Sequence, residues 1–324
     1  MRSLYLGGGT PSVLTISQLE QLLLTVREHY CLDSLAELTL ECNPDDVSAG
    51  QLEKWRELGF NRLSIGIQSF HEADLELLRR SHSAVQAGEA VHAARSKGFD
   101  NISVDLIYGI PGQSVEQWKE NLERVVELEV DHLSAYHLSF ESGTVFDHWR
   151  KKQRIVPVED QVSEVLYREL CGTLDRGGFE HYEISNFARE GKRSEHNQIY
   201  WSGEAYPGFG PSAHSYDGTS RSWNPSDLKL YMELAGEGKA MAEGEEPGPT
   251  EAYHDYLITS LRTSRGADPR LILQRFGPTV FRHFQEASGP FIEKGQMKKE
   301  GDRLRIAAAY WLMADYVLRD LFMD

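Results

Sequence analysis

The chain is poor in cysteine, and the cysteines it has lie far apart. Its three cysteines, Cys31, Cys42 and Cys171, share no close spacing. Without clustered cysteines, the sequence predicts neither a disulfide-stapled secreted domain nor a closely spaced cysteine metal site. We therefore expect a protein of a reducing compartment and place it in the cytoplasm.

Positive charge and long apolar runs are also scarce. Lys and Arg number 34 against 50 Asp and Glu, which gives a formal net charge of −16. Because a nucleic-acid-binding protein needs a basic face, nucleic acid is not an expected partner. The apolar runs fall short of the ~20 residues that span a bilayer, so a transmembrane protein is not expected.

What the sequence does have is a regular alternation of strand and helix patterns over residues 1–140. Helix starts are predicted at Ser17, Ser48 and Ser114, because Glu or Gln follows each of them three residues later, as in a capping box. Segments with alternating apolar residues, as in strands, read RSLYL, AELTLE, RLSIGIQ, NISVDLIYG and HLSAYHL. This repetition predicts an α/β fold, with a parallel sheet and helices packed outside it.

The alternation of strand and helix patterns ends after residue 140, and two further segments are expected beyond it. Residues 141–234 form an extension rich in polar and aromatic side chains. Residues 235–250 are small, acidic and rich in Gly and Pro, so they are interpreted as a linker. Residues 250–324 are predicted to be a helical module, with a charged hairpin-like turn at 298–302. Helices with a small hairpin suggest a winged-helix-like shape.

Each predicted strand ends in a polar or glycine-rich group. In chain order the five strand ends carry Gly7–Pro11, Glu41, Gln68, Asp105 and Tyr136. In a parallel barrel the carboxyl ends of the strands meet at one rim, where the chemistry is found. A glycine loop lets backbone groups approach a ligand, and carboxylates accept hydrogen bonds from hydroxyl or ammonium groups. Each group alone is compatible with a turn or a helix cap, but together they predict a small polar ligand.

Eight segments in order give the sequence a family resemblance. They read GGGTP, ECNP, RLSIGIQSF, RRSHS, VDLIYGIPGQ, HYEISNFAR, HNQIYW and GFGPSAHS. With them the chain resembles the oxygen-independent coproporphyrinogen III oxidase-like family of radical S-adenosylmethionine proteins. The resemblance implies a partial, TIM-like (β/α) barrel with a C-terminal extension, and a triple glycine that holds the methionine end of S-adenosylmethionine. The residues implied to contact this ligand are Gly8, Gly9, Thr10, Glu41, Gln68, Arg80 and Asp105.

The [4Fe-4S] cluster of the family is expected to be absent from this chain. In the family, a CxxxCxxC loop before the GGGTP strand supplies three thiolates and leaves the fourth iron for S-adenosylmethionine. We expect this loop and the first barrel strand to be missing before Met1, and S-adenosylmethionine to bind weakly. A wrongly assigned start codon, a truncated chain and a degenerate gene would each account for this. The open sheet edge at Arg2–Leu6 is then expected to lead either to self-association or to disorder of the first few residues.

The segment HNQIYW, from His196 to Trp201, bears on the branch of the family. It resembles the HNxxYW motif of a branch regarded as haem chaperones, in which the histidine is associated with haem. The resemblance implies haem or a porphyrin as ligand, bound by His196, and a haem-accepting protein as partner. Two alternatives stay open: an oxidase that carries out oxidative decarboxylation, and a cluster-less remnant without catalysis. Enzymatic activity is therefore not assigned.

The residues around His196 have a second interpretation. Neutral imidazole is a good axial ligand for haem iron, and Tyr200 and Trp201 offer a flat apolar surface for the macrocycle. In the alternative interpretation, His196 and Asn197 cap a polar loop, and Tyr200 and Trp201 cover the barrel. The cations expected to attract the haem propionates are Arg189, Lys192 and Arg193.

Overall fold

A computed structural model describes residues 1–32, 35–239 and 243–323. The chain divides into two units, Met1–His196 and Asn197–Asp324. The boundaries predicted from the sequence at residues 140 and 234 stay predictions.

A seven-stranded sheet forms the centre of the first unit. Its strands are β1 (Ser3–Leu6), β2 (Glu37–Cys42), β3 (Arg62–Gln68), β4 (Ile102–Tyr108), β5 (His132–His137), β6 (Glu180–Glu183) and β7 (Asn186–Ala188). They lie in the order β1-β2-β3-β4-β5-β7-β6. Strands β1 to β5 are parallel, and β7 is antiparallel to both β5 and β6. The sheet curls into a half-barrel, which confirms the predicted partial (β/α) barrel.

Helices connect the strands of this sheet. They are α1 (Ile16–His29), α2 (Ala49–Leu58), α3 (Glu72–Leu77), α4 (Ala84–Ser96), α5 (Val115–Glu127), α6 (Val145–Lys151) and α7 (Asp160–Arg176). A further helix, α8 (Glu195–Ser202), begins at the end of the first unit and carries the HNQIYW segment.

Helix starts follow from side-chain caps. Ser48 and Ser114 each accept a hydrogen bond from the backbone N–H three residues later, so α2 and α5 begin where predicted. The start predicted at Ser17 is wrong by two residues. Thr15 is the N-cap of α1, because its hydroxyl accepts from the Gln18 N–H and the Gln18 side chain accepts from the Thr15 N–H. Two capping-box patterns overlap here, so their spacing alone could not choose between them.

The core of the first unit lies between the sheet and its helices. Leu40, Leu63, Ile65 and Val104 from the strands and Trp118 from α5 are fully buried. These strand residues lie at alternate positions, so they point to one face of the sheet. Burying one such side chain contributes about 1.5–3 kcal/mol, which is why the helices cover this face.

The second unit contains helices and two small sheets. Its helices are α9 (Leu228–Gly236), α10 (Pro249–Leu261), α11 (Pro269–Glu293) and α12 (Ala314–Leu321). Its sheets are the three-stranded β8 (His214–Tyr216), β9 (Arg221–Trp223) and β10 (Glu243–Glu245), and the hairpin of β11 (Met297–Glu300) and β12 (Arg303–Ile306). The helical character of the C-terminal part is confirmed, and β11 and β12 form a hairpin there, while the bounds 250–324 and the winged-helix-like shape stay predictions.

The linker interpretation of residues 235–250 needs correction. Glu243–Glu245 pairs with β9 as an antiparallel strand, so backbone hydrogen bonds order part of a stretch whose composition indicated a loop. Residues 240–242 of that stretch lie outside the described residues. Within the described ranges, none of the helices combines the length and apolarity needed to cross a membrane.

Candidate functional site

The concave face of the sheet is polar, whereas the helix-covered face is apolar. Contacts between neighbouring strands show which polar side chains share this face: Arg62 with Glu37, Ser64 with Asp105, and Ser103 with His132. Among the described residues, Thr39 Oγ1 and Arg62 Nε are buried without a hydrogen-bond partner. Buried polar atoms are normally paired, so this face is suited to a polar ligand or water. The inward set is Glu37, Thr39, Glu41, Arg62, Ser64, Ser103, Asp105, His132 and Ser134.

The glycine loop after β1 lies against Glu41. The Gly8 N–H donates to Glu41 Oε2 at 3.1 Å, and the Tyr5 hydroxyl donates to Oε1 at 2.7 Å. A Cβ on Gly7 would lie 2.6 Å from this carboxylate, so a larger residue does not fit there. Gly8 has a φ of +79°, and a Cβ on Gly8 or Gly9 would meet no heavy atom within 4 Å. The loop therefore leaves open space beside a carboxylate.

Gln68 is the last residue of β3, whereas Asp105, which the sequence analysis placed at a strand end, lies in the middle of β4. Burial raises the pKa of Asp105 to about 6, although a hydrogen bond from Ser134 acts to lower it. The Ser64 hydroxyl lies 3.4 Å from Asp105 Oδ1. Gln68 has a φ of 70° where the register between β3 and β4 shifts. A left-handed backbone is uncommon for residues other than glycine and is concentrated at functional sites.

Arg80 and Thr10 complete the set predicted from the sequence. The Arg80 guanidinium is half-buried, which lowers its pKa, while the charges of Asp105 and Asp45 act to raise it. Thr10 follows the glycine loop, and its carbonyl accepts the Val13 N–H at 3.1 Å. Open backbone space after β1, carboxylates on β2 and β4 and a guanidinium after α3 fit a ligand with amino, carboxylate and hydroxyl groups.

The ring of Tyr5 contacts His196. The two rings stack with their centroids 4.6 Å apart and an angle of 18° between their planes. Ser3 Oγ lies 3.3 Å from His196 Nδ1. The His196 backbone N–H donates to Glu37 Oε1 at 3.1 Å. Burial lowers the pKa of His196 to about 4, so its imidazole is neutral at pH 7.

Sequence reasoning missed a group of buried polar contacts on the concave face. Arg62 and Glu37 form an ion pair at 3.7 Å, with only 2% and 4% of their side chains exposed. Ser103 Oγ lies 2.7 Å from His132 Nδ1, and His132 Nε2 lies 2.8 Å from the Tyr182 hydroxyl. A signal was present, because ELTLEC and RLSIGIQ alternate polar and apolar residues. A parallel strand with two apolar faces reads as a nearly continuous apolar run.

The cysteines do not form a cluster site in the described chain. Cys31 is exposed after α1, while Cys42 is buried on β2. Burial raises the pKa of the Cys42 thiol far above its usual range and raises that of Cys171, on α7, to about 11. Within residues 1–32, 35–239 and 243–323, no three Cys, His, Asp or Glu side chains could hold a metal ion together. These cysteines therefore do not fit a [4Fe-4S] cluster, which needs three converging thiolates.

The cations expected to meet haem propionates all have protein partners. Arg189 donates to the carbonyls of Val130 and Gly177 at 3.0 and 3.1 Å. Arg193 Nε donates to Glu180 Oε2 at 3.0 Å, and Lys192 donates to the Asp100 carbonyl. In the second unit, Tyr200 is 41% exposed, and its ring meets Tyr206 edge-on at 4.3 Å. The propionate and macrocycle contacts stay predictions.

Comparison with known proteins identifies the class of this domain. Residues 1–125 match the model of the radical SAM superfamily. Among solved structures, the radical SAM enzyme coproporphyrinogen III oxidase (HemN) from Escherichia coli is similar, with a TM-score of 0.84 and 25% identity. The similarity covers 99% of this chain and 77% of that one. Residues 1–125, which contain the glycine loop and the Glu41 carboxylate, are thus a radical SAM domain.

Curated relatives identify the family within this class. The heme chaperone HemW of Bacillus subtilis strain 168 is 34% identical over 298 residues, which is 91% of this chain and 78% of the relative. The heme chaperone HemW of Lactococcus lactis is 37% identical over 325 residues, which is 100% of this chain and 85% of the relative. The chain belongs to the HemW family of radical SAM proteins.

Proposed function

We propose that this chain binds haem through His196 and serves as a haem chaperone that delivers haem to an acceptor protein. The observation that carries the proposal is His196, whose neutral imidazole contacts Tyr5 of β1 and whose backbone N–H donates to Glu37 of β2. The relatives named heme chaperones support it, because the match covers 78% and 85% of their own lengths. The acceptor and the cytoplasmic location stay predictions.

A neutral imidazole is the form that binds haem iron. A protonated ring has no lone pair to donate, and burial keeps the pKa of His196 near 4, well below neutral pH. Ser3 Oγ lies within 3.3 Å of Nδ1, and a partner of this kind fixes the orientation of a ligating ring. The residues therefore fit an axial ligand.

The glycine loop and its neighbours are proposed to hold S-adenosylmethionine. The open space at Gly8 and Gly9 accommodates backbone contacts, and Glu41 can accept from the ligand ammonium. In radical SAM proteins this cofactor supplies a radical when a reduced cluster cleaves it. Because the described cysteines do not fit a cluster, only binding is proposed here. The remaining residues proposed for this ligand are Thr10, Gln68, Arg80 and Asp105.

An oxidase is the second candidate function. The similarity to HemN, with a TM-score of 0.84, favours it. Oxidative decarboxylation of coproporphyrinogen III by the chain, measured as product formation under anaerobic conditions, would replace the chaperone proposal. If the chain shows neither decarboxylation nor haem binding, the non-catalytic remnant is the interpretation that remains.

Self-association through β1 is proposed as well. Among the described residues this strand lies at one edge of the sheet and pairs only with β2, so the N–H and C=O groups along its other side can pair with another chain. Sedimentation velocity over a range of concentrations tests this. A single monomeric species at every concentration contradicts it.

Titration with hemin tests the proposed function. We expect a shifted Soret band with the unchanged protein and with His92→Ala, an exposed histidine on α4. We expect the shift to be lost with His196→Ala. An unchanged spectrum with His196→Ala removes the residue-level support for the chaperone proposal.

A further inference from the structure

One side chain, Tyr5, contacts residues from both predicted sites. Its ring stacks on the His196 imidazole with the centroids 4.6 Å apart. Its hydroxyl donates to Glu41 Oε1 at 2.7 Å. Glu41 is a residue predicted for S-adenosylmethionine, and His196 is the residue predicted for haem. The two predicted sites are therefore joined by a single aromatic ring.

The contacts continue into the glycine loop. Glu41 Oε2 accepts the Gly8 N–H at 3.1 Å, so the two carboxylate oxygens hold Tyr5 and the loop at the same time. Each oxygen keeps a second lone pair that could accept from an added ligand. A cation bound to the Glu41 carboxylate would weaken the hydrogen bond that Glu41 accepts from the Tyr5 hydroxyl.

The Tyr5 hydroxyl acts in this group as a neutral donor. Burial, and then the negative charge of Glu41, raise the pKa of Tyr5 far above its usual range. The phenol is therefore protonated at neutral pH. Its orientation depends on the acceptor, because leaving a part-buried hydroxyl without a hydrogen-bond partner is unfavourable.

We propose that Tyr5 is a positioning residue that couples Glu41 to the imidazole of His196. A change in charge or occupancy at Glu41 alters the hydrogen bond from Tyr5, and the stacked imidazole shifts with the ring. A ligand at the glycine loop then changes how His196 meets haem, and haem changes the affinity for that ligand by the same factor. The haem half of this coupling rests on the proposed function.

A double-mutant cycle on Glu41 and Tyr5 tests the coupling without any added cofactor. The four proteins are the unchanged chain, Glu41→Gln, Tyr5→Phe and the double variant. Tyr5→Phe keeps the stacked ring and removes only the hydroxyl. The first readout is the NMR resonances of the His196 ring in haem-free protein, assigned by comparison with His196→Ala.

We expect Glu41→Gln to shift the His196 ring resonances when Tyr5 is present and to leave them unmoved with Tyr5→Phe. The second readout is hemin affinity. Here Glu41→Gln should weaken binding by about threefold to tenfold in the Tyr5 protein and by less than about twofold with Tyr5→Phe. Tyr316→Phe, on α12, is the control and should leave the effect of Glu41→Gln unchanged.

Equal shifts of the His196 resonances with Tyr5 and with Phe at this position would overturn the coupling. An absence of any shift on Glu41→Gln would overturn it too. Hemin binding that is indifferent to His196→Ala would instead overturn the proposed function, while the resonances of the haem-free protein would still decide the role of Tyr5. Circular dichroism on all variants establishes that each one is folded.

Discussion

The buried carboxylate of Glu37 accepts hydrogen bonds from the backbone N–H groups of Glu195 and His196, at 3.0 and 3.1 Å. It also accepts from the Ser194 hydroxyl at 3.2 Å. These donors lie at the start of α8, where N–H groups have no partner within the helix. A strand residue of β2 thus caps the helix that carries HNQIYW, which explains how the His196 backbone is held against the sheet.

Loss of the Glu37 carboxylate should destabilise the first unit strongly. Glu37→Leu leaves Arg62 as a buried cation without its partner, which costs about 3–5 kcal/mol. Urea unfolding of the unchanged protein and of Glu37→Leu measures the difference in the free energy of unfolding. Glu57→Gln removes one partner of the exposed ion pair with Lys54 and should change stability by less than about 1 kcal/mol.

The buried charge can be separated from the helix cap. The double variant Glu37→Leu with Arg62→Met has no unpaired cation, so it should recover most of the lost stability. A double variant as unstable as Glu37→Leu alone would mean that the cap, not the ion pair, carries the effect. Equal stability of Glu37→Leu and Glu57→Gln would contradict both roles.

Gly8→Ala should reduce the binding of S-adenosylmethionine. The added methyl enters the open space of the glycine loop, and the backbone φ of +79° costs a residue other than glycine about 1–2 kcal/mol. Gly98→Ala is the matched control, since Gly98 has a φ of +84° and open space around it. It lies between α4 and the start of β4, away from the glycine loop. Both variants should lose similar stability.

Only Gly8→Ala should lose ligand affinity. A change of about tenfold corresponds to about 1.4 kcal/mol, which saturation-transfer NMR at several ligand concentrations can measure even for weak binding. Equal affinity in Gly8→Ala and in the unchanged protein would place the ligand elsewhere. Equal loss in Gly98→Ala would assign the effect to stability.

Much of the first unit could be predicted from its sequence, because the patterns that define it are local. The alternation in RLSIGIQ marks β3, and the Ser114 capping box marks α5. The Tyr5–His196 stack joins residues far apart in the chain, and so does the cap by Glu37. No local pattern encodes those contacts, since they depend on how the sheet curls.

The strand within residues 235–250 could not be predicted from its composition. Glu243–Glu245 has the Gly and acidic content of a loop, and pairing with β9 overrides that composition. Strand residues draw their stability from the neighbouring strand, and a single sequence does not identify that neighbour. The ion pair of Glu37 with Arg62 depends on the same information, because each strand shows a polar face but not which residue lies opposite in the neighbouring strand.

The first unit should lose stability as the pH falls from 6.5 towards 4. Burial lowers the pKa of His196 to about 4 and that of His181 to about 3, and it lowers that of His132 well below 6.5. In this range the unfolded chain binds protons at these histidines and the folded chain does not, so protonation favours unfolding. Asp105 acts in the opposite direction, because its folded pKa is raised to about 6, but the histidines with a lowered pKa, which include His82 and His137, outnumber it.

Chemical denaturation at a series of pH values measures this dependence. His196→Gln removes one titrating ring, so its stability should fall less steeply over the same range. His92→Gln removes an exposed ring on α4 and should leave the slope unchanged. Stability that is flat or rises between pH 6.5 and 4 would show that the histidines are accessible to protons in the folded state.

This chain should not retain a [4Fe-4S] cluster after anaerobic reconstitution with iron and sulfide. Cys42 is buried with a raised pKa, so it stays a thiol, while cluster iron binds thiolates. Cys31 and Cys171 lie on other elements, after α1 and within α7. After desalting, we expect neither stoichiometric iron nor charge-transfer absorption in the visible range. Iron that survives desalting with the unchanged protein, but is lost with Cys42→Ala, would show that the buried thiol becomes a ligand. That result would contradict the prediction.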